Sequence, residues 1–109
     1  MNREDQNLVR HVNQKHREIS SKVDLIHNQE LHQQILEDWK QESPEMYQSL
    51  SKLGILEKMA FVQQQEMWSQ YEQNLRAGMQ VTDAREQAER ETLLMEPVQS
   101  ELERISQQI

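Results

Sequence analysis

Between Val9 and Ile26 the apolar and amphipathic positions fall at Val9, Val12, His16, Ile19, Val23 and Ile26. Steps that alternate between three and four residues define a heptad seam. Carried further, the same register would bring Glu30 and Gln33 into the seam, whereas a one-residue shift collects Leu25, His32, Ile35 and Trp39. The spacing therefore predicts one long helix over 4–40 whose register slips between Leu25 and His32, through a bend, a stutter or a change of partner. The alternative is a break near Ser20 and Ser21, where Ser21 and Asp24 imitate a weak capping box.

A short helix over 44–53 follows. Ser43 suits the N-cap, Pro44 the first helical position, where its missing N–H leaves nothing unpaired, and Glu45 the positive end of the helix dipole. Gly54 then takes the left-handed conformation after the last turn. A helix this short is unstable alone, so Met46, Tyr47, Leu50 and Leu53 must rest on neighbours, and the element acts as a corner between longer helices. A third helix over 55–77 carries Leu56, Met59, Ala60, Met67, Trp68, Tyr71 and Leu75 on one broad face, with Gln63, Gln64 and Gln65 at its middle and Gly78 at its end. The fourth, over 82–109, has Thr82 as N-cap. Val81, Ala88, Met95, Leu102 and Ile109 recur every seven residues along it, Ala84, Val98 and Ile105 form the second line, and Glu91 is the misfit. Pro97 falls on the solvent side of that stripe and predicts a kink.

Lengths decide the assembly expected from this pattern. A helix over 4–40 would run about 55 Å at 1.5 Å per residue, against a radius of gyration of roughly 13 Å for a compact domain of this size. The overhanging seam of Val9, Val12, Ile19, Val23 and Ile26 must then be covered, most simply by a second copy in a homodimer. The alternative is a broken first helix and a bundle closed within one chain. The expected fold is all-α: a single domain over 1–109, an elongated helical bundle of about four helices. A second, C-terminal seam comprises Ala88, Met95, Val98, Leu102 and Ile105.

Composition narrows the function. Apolar residues make up 35% of the 109 residues, glutamine occurs 17 times, and two glycines and two prolines leave few turns, so the core is thin and helix is the default state. A net charge of −7, from 19 acidic and 12 basic side chains, argues against duplex binding, which draws its affinity from Lys and Arg on phosphates. The chain has no cysteine, which fits a reducing cytoplasm. It also shows no secretory signal and no apolar run of membrane-spanning length.

The chemistry is sparse. His11, His16, His27 and His32 all lie in the first segment, but steps of five do not bring two side chains to one helix face. His27 with Glu30 also runs opposite to the Glu-x-x-His order of bundle metal sites, so no metal or cofactor is expected. Glu86, Glu89, Glu91, Glu96, Glu101 and Glu103 are dispersed and read as a solvated acidic surface. Phosphate loops and nucleophile elbows are missing, so an enzyme is not expected. The methionines, with Trp39, Trp68, Tyr47 and Tyr71, read as core filling ahead of an adaptable binding surface. Arg3, Arg10, Gln14, Arg17 and Ser21 share a helix face that can meet phosphates, but Glu4, Asp5 and Glu18 interleave with it. A helix-turn-helix around Gly54 would present Ile55, Leu56 and Glu57 where base readout needs donors.

The stretch from Ser43 to Met59, with Pro44, Tyr47, Leu50, Gly54 and Leu56, resembles the central segment of the small helical transposon-encoded TnpV-type proteins. Val81 to Gln87 resembles the Val-Thr-Glu that follows in that family. The likeness covers about residues 36 to 87; the long first helix and the C-terminal part depart from it. It implies residence on a mobile element and brings no catalytic residue with it. The expected function is a non-enzymatic, acidic helical module binding a protein partner, such as a mobile-element or phage accessory factor or an inhibitor of a host enzyme acting on nucleic acid. The alternative is a DNA-associated regulator using the N-terminal helix.

Overall fold

The computed structural model describes residues 3–21 and 26–92. Five helices occupy them: α1 Arg3–Ser20, α2 Gln29–Glu42, α3 Pro44–Lys52, α4 Leu56–Arg76 and α5 Val81–Thr92. The protein is all-α, and none of the described helices is long and apolar enough to cross a membrane.

The continuous helix over 4–40 is not formed, and this is the main correction to the sequence reading. α1 stops at Ser20, where the Ser21 hydroxyl donates to the Glu18 carbonyl at 2.7 Å and its N–H to the Arg17 carbonyl at 3.2 Å. Ser21 thus closes one helix and does not open the next. The start signal that the pattern concealed is Asn28, in the β region at φ −109° and ψ 113°, whose side-chain oxygen accepts from the Leu31 N–H at 3.0 Å. Asparagine competes well for such local bonds, so it favours a cap over a helix interior. Breaking the helix also resolves the register slip, because each half can turn its own apolar face inward. Leu8 and Val12 from α1 meet Ile35, Leu36 and Trp39 from α2 in one core. The longest extent of the molecule is 44 Å, shorter than the helix once expected, so no 55 Å overhang exists and the length argument for a homodimer falls with it.

α3 is the corner that the sequence marks, with one difference. Ser43 holds the N-cap position, but its side chain makes no capping bond; its backbone serves both neighbours, donating to Trp39 and accepting from Tyr47. At the other end Gly54 has φ +74°. Its N–H reaches the Ser51 carbonyl while the Ile55 N–H reaches Leu50, both at 3.1 Å, the paired bonds of a Schellman closure. The apolar contact that accompanies this motif is supplied by Leu50 and Ile55, exposed by 0% and 1%. The same closure recurs at Gly78, φ +96°, where Met79 bonds back to Asn74.

α4 is the central element and packs against each of the other four helices. Partner pairs give their directions. Asn13 with Lys58 and His16 with Phe61 advance together, so α1 runs parallel to α4. Asn28 with Gln64 and His32 with Glu57 place α2 antiparallel, as do Asn74 with Ala84 and Gln63 with Thr92 for α5. α5 begins at Val81, one residue before the expected start, so Thr82 lies in its first turn and Gln80 accepts the first helical bond from Ala84. Ala84 and Ala88 are fully buried against α4; methyl side chains four residues apart allow close approach of the two backbones. Residues 93–109, with Pro97 and the expected continuation of the helix to 109, lie outside the described residues.

Nothing stands within 4 Å of a Cβ built on Gly54, so its requirement is purely conformational. Replacing it by valine, a β-branched residue at positive φ, is expected to destabilise the protein by about 1–3 kcal/mol, read as a lower urea midpoint with unchanged slope.

Candidate protein-binding groove

Three consecutive glutamines near the middle of α4 point in three directions, about 100° apart around the helix, and each amide holds a different piece of backbone. Gln63 donates to the Thr92 carbonyl at the end of α5. Gln64, fully buried, accepts from the Asn28 N–H at 2.8 Å and donates to the Asn28 carbonyl at 3.1 Å. One side-chain amide thus pairs with both backbone groups of one residue, as a β-strand neighbour would. The Gln64 oxygen also accepts from the Trp68 indole N–H at 2.9 Å. Gln65 donates to the Ile26 carbonyl at 2.5 Å. The segment leading into α2 is therefore bound to α4 at both Ile26 and Asn28.

This attachment shapes a groove. With the backbone of Ile26 held, its side chain stands 60% exposed at the rim of a groove of about 580 Å³ between the C-terminal half of α1 and the outer face of α4. Ile19, Trp68, Tyr71 and Leu75 line it, with Lys15, Glu18, Glu66 and Glu72 along its edges. The Trp68 and Tyr71 rings meet edge to face at 5.9 Å and 81°, a favourable quadrupole arrangement, and the Arg85 guanidinium lies 5.3 Å from the Trp68 ring centre. Lys15 and Glu66 form an ion pair across the α1–α4 seam. The floor is thus aromatic and preset by bonds to its own protein.

Beside the groove lies a ring cluster that the sequence did not announce. Phe61 is flanked by His16 at 5.0 Å and His27 at 5.5 Å, and His27 stands 5.4 Å from His32. The His32 Nε2 meets a Glu57 carboxylate oxygen at 2.5 Å. Burial, and secondly the positive charge of Lys58, hold the His16 imidazole below its ordinary pKa. No group of three or more His, Cys, Asp or Glu among the described residues is arranged to hold a metal ion.

The seam residues read from the sequence divide between core and groove. Val12 is 1% exposed and belongs to the core, and Val9 packs partly against it. Ile19 and Ile26 line the groove, and Val23 lies outside the described residues. Of the C-terminal seam, Ala88 is buried on α4, while Met95, Val98, Leu102 and Ile105 lie outside the described residues. Core filling describes Trp39, Met59 and Met67 but not Trp68 and Tyr71, which stay half-buried in the groove. A signal for this was present: the apolar face of α4 from Met59 round to Trp68 spans about half the helix circumference, wider than one interface needs. No family model, curated protein or solved structure matches the chain.

Gln64→Leu keeps the volume but strips partners from the Asn28 backbone and the Trp68 indole. It is expected to cost about 2 kcal/mol, read by urea unfolding, while Gln65→Leu on the exposed side is expected to cost less than about 1 kcal/mol. His16 generates a pH effect of defined sign. Its folded pKa is lowered from 6.5, so the unfolded chain takes up the proton first as pH falls. Its stabilising contribution is complete above 6.5 and is lost as pH drops through the folded value. Unfolding midpoints at pH 7.5 and pH 5 should therefore differ less in His16→Gln than in the parent chain.

Proposed function

We propose that this chain is a non-enzymatic, acidic helical protein–protein interaction module that seats a segment of another protein in the groove between α1 and α4. The observation that carries this reading is the groove itself: aromatic and branched apolar side chains stay partly open to solvent beside a segment whose Ile26 and Asn28 backbone is held by the Gln65 and Gln64 amides. Exposed apolar surface of this kind, bounded by charged edges, is the ordinary mark of an interaction site. An accessory role on a mobile element or phage, or inhibition of a host enzyme acting on nucleic acid, belongs to the same proposal. Its support is the resemblance of residues 36 to 87 and the net charge of −7. Of the positions that carry that resemblance, Pro44, Tyr47, Leu50 and Gly54 fall in or next to the α3 corner, so they speak for shared architecture more than for a shared partner.

One observation favours a second reading, a DNA-associated regulator. Arg3, Arg10, Gln14, Arg17 and Ser21 are all exposed along α1, on the side of the helix away from Leu8 and Val12.

Two measurements separate these readings. A photo-crosslinking amino acid at position 26, expressed in the native host, is expected to capture a discrete protein, and the same group at the exposed Gln34 of α2 is not. Equal capture at both positions, or none at 26, overturns the groove. A gel shift with purified protein is expected to give no retained duplex at 150 mM salt; retention with a steep salt dependence that Arg10→Gln and Arg17→Gln relieve would establish the second reading instead.

A further inference from the structure

We infer that the groove between α1 and α4 accepts a basic amphipathic helix of a partner protein, about three turns long, and not a second copy of this chain. The inference rests on the interaction reading above and gives the partner its chemistry. From Gln65 to Leu75 the floor advances ten residues along α4, roughly 15 Å at 1.5 Å per residue, which matches three turns of a helix laid alongside. Ile19 and Ile26 on one wall and Trp68, Tyr71 and Leu75 on the other can receive anchors spaced i, i+3 or i+4, and i+7. The floor is also ordered before a partner arrives. Trp68 donates its N–H to buried Gln64, meets Tyr71 edge to face and lies under Arg85, so little side-chain freedom remains to be lost on binding.

Charge selects the partner. The groove edges carry Glu18 on α1 and Glu66 and Glu72 on α4, and Lys15, the one Lys or Arg among the described lining residues, is ion-paired to Glu66. Glu72 has Arg76 beside it, but both side chains are mostly exposed, 64% and 77%, and water screens such a pair strongly. Glu66 is matched by Lys15, and Arg85 over Trp68 by Glu89 at 3.0 Å. That leaves Glu18 on α1 and Glu72 on α4 facing an incoming helix from the two walls, so lysines or arginines flanking its apolar stripe meet opposite charge. The chain's own candidates carry the wrong sign. Its C-terminal stripe of Met95, Val98, Leu102 and Ile105 is accompanied by Glu96, Glu101 and Glu103 against one Arg104, and a second copy brings another net charge of −7. Like charges at the rim then oppose self-docking.

The test uses the full chain and two labelled synthetic helical peptides of 14 residues with the same leucine stripe, one with lysines and one with glutamates at the polar positions, neither containing tryptophan. By fluorescence anisotropy the lysine peptide should bind at least tenfold more tightly than the glutamate peptide, with a blue shift of tryptophan emission that Trp68→Phe abolishes. Ile26→Asp is the deciding variant, because Ile26 is exposed and its loss should leave the circular dichroism unchanged. It also makes the chain more acidic, so bulk charge attraction predicts tighter binding of the lysine peptide, whereas docking in the groove predicts at least tenfold weaker binding. Unchanged or tighter binding to Ile26→Asp overturns the inference. Preference for the glutamate peptide, lost in Ile26→Asp, overturns the charge assignment and leaves the interaction reading standing. Failure of both peptides overturns the inference, and the interaction reading falls with it only if position 26 also captures no protein. A mass of two chains by light scattering, halved by Ile26→Asp, would place a second copy in the groove and overturn it as well.

Discussion

The paired hydrogen bonds between the buried Gln64 amide and the backbone N–H and C=O of Asn28 are the contact on which the rest of the arrangement turns. Where the chain enters α2, the Asn28 backbone is the partner of the fully buried Gln64 amide, whose own donor and acceptor have lost water. An unpaired buried N–H or C=O is expensive in such a place. A glutamine reaches far enough from the helix surface to supply both a donor and an acceptor, in the relative geometry that a neighbouring strand would offer. Leucine at position 64 would fill the volume and leave the Asn28 backbone without these partners. Glutamine there is a core residue in function as well as in location.

That attachment lets an otherwise poor sequence build a core. Apolar residues are scarce, and a straight helix over 4–40 would have presented its two apolar registers at different angles, so that only one could face inward. With α1 ending at Ser20 and α2 starting at Gln29, both registers face inward, and Leu8 and Val12 share a cluster with Ile35, Leu36 and Trp39. The corner at α3 completes the enclosure by inserting Leu50 and Ile55 from its Schellman closure. At the far end, α5 lies on α4 through alanines and through amide bonds from Gln63 and Asn74 to its backbone. Hydrophobic burial supplies most of the stabilisation in the first region, whereas in the second it is shared with side-chain amides.

The groove follows from the same geometry. Holding Ile26 by its carbonyl leaves its side chain outward, and the α4 face beneath, with Trp68, Tyr71 and Leu75, stays half-buried, with Arg85 of α5 reaching over the Trp68 ring. Of the seam residues read as a dimer surface, Val12 entered the chain's own core, while Ile19 and Ile26 became groove. A stripe that looked continuous along one helix therefore serves two surfaces, because the helix that would have carried it unbroken does not exist.

The all-α class, the corner at α3, the glycine closures at Gly54 and Gly78 and the approximate ends of α4 were legible in the sequence. Each depends on interactions within a few residues: a proline with no N–H to lose, a glycine free to take positive φ, a run of good helix formers. The break between α1 and α2 was only half legible. Ser21 and Asn28 both signal termini, but whether a heptad bends or breaks depends on what lies beneath it, and the Gln64 that meets Asn28 lies 36 residues further along the chain. The breadth of the apolar face of α4 signalled a second surface, but the place of the groove and the glutamine contacts were not legible. A polar residue in mid-helix reads as solvent-facing, and Gln63, Gln64 and Gln65 give no sign of which backbone each will meet, since hydrogen-bond partners far apart in sequence are chosen by packing. Local chemistry set the helices and their ends; tertiary packing alone decided that three amides would tie them together and that an aromatic face would be left open between two of them.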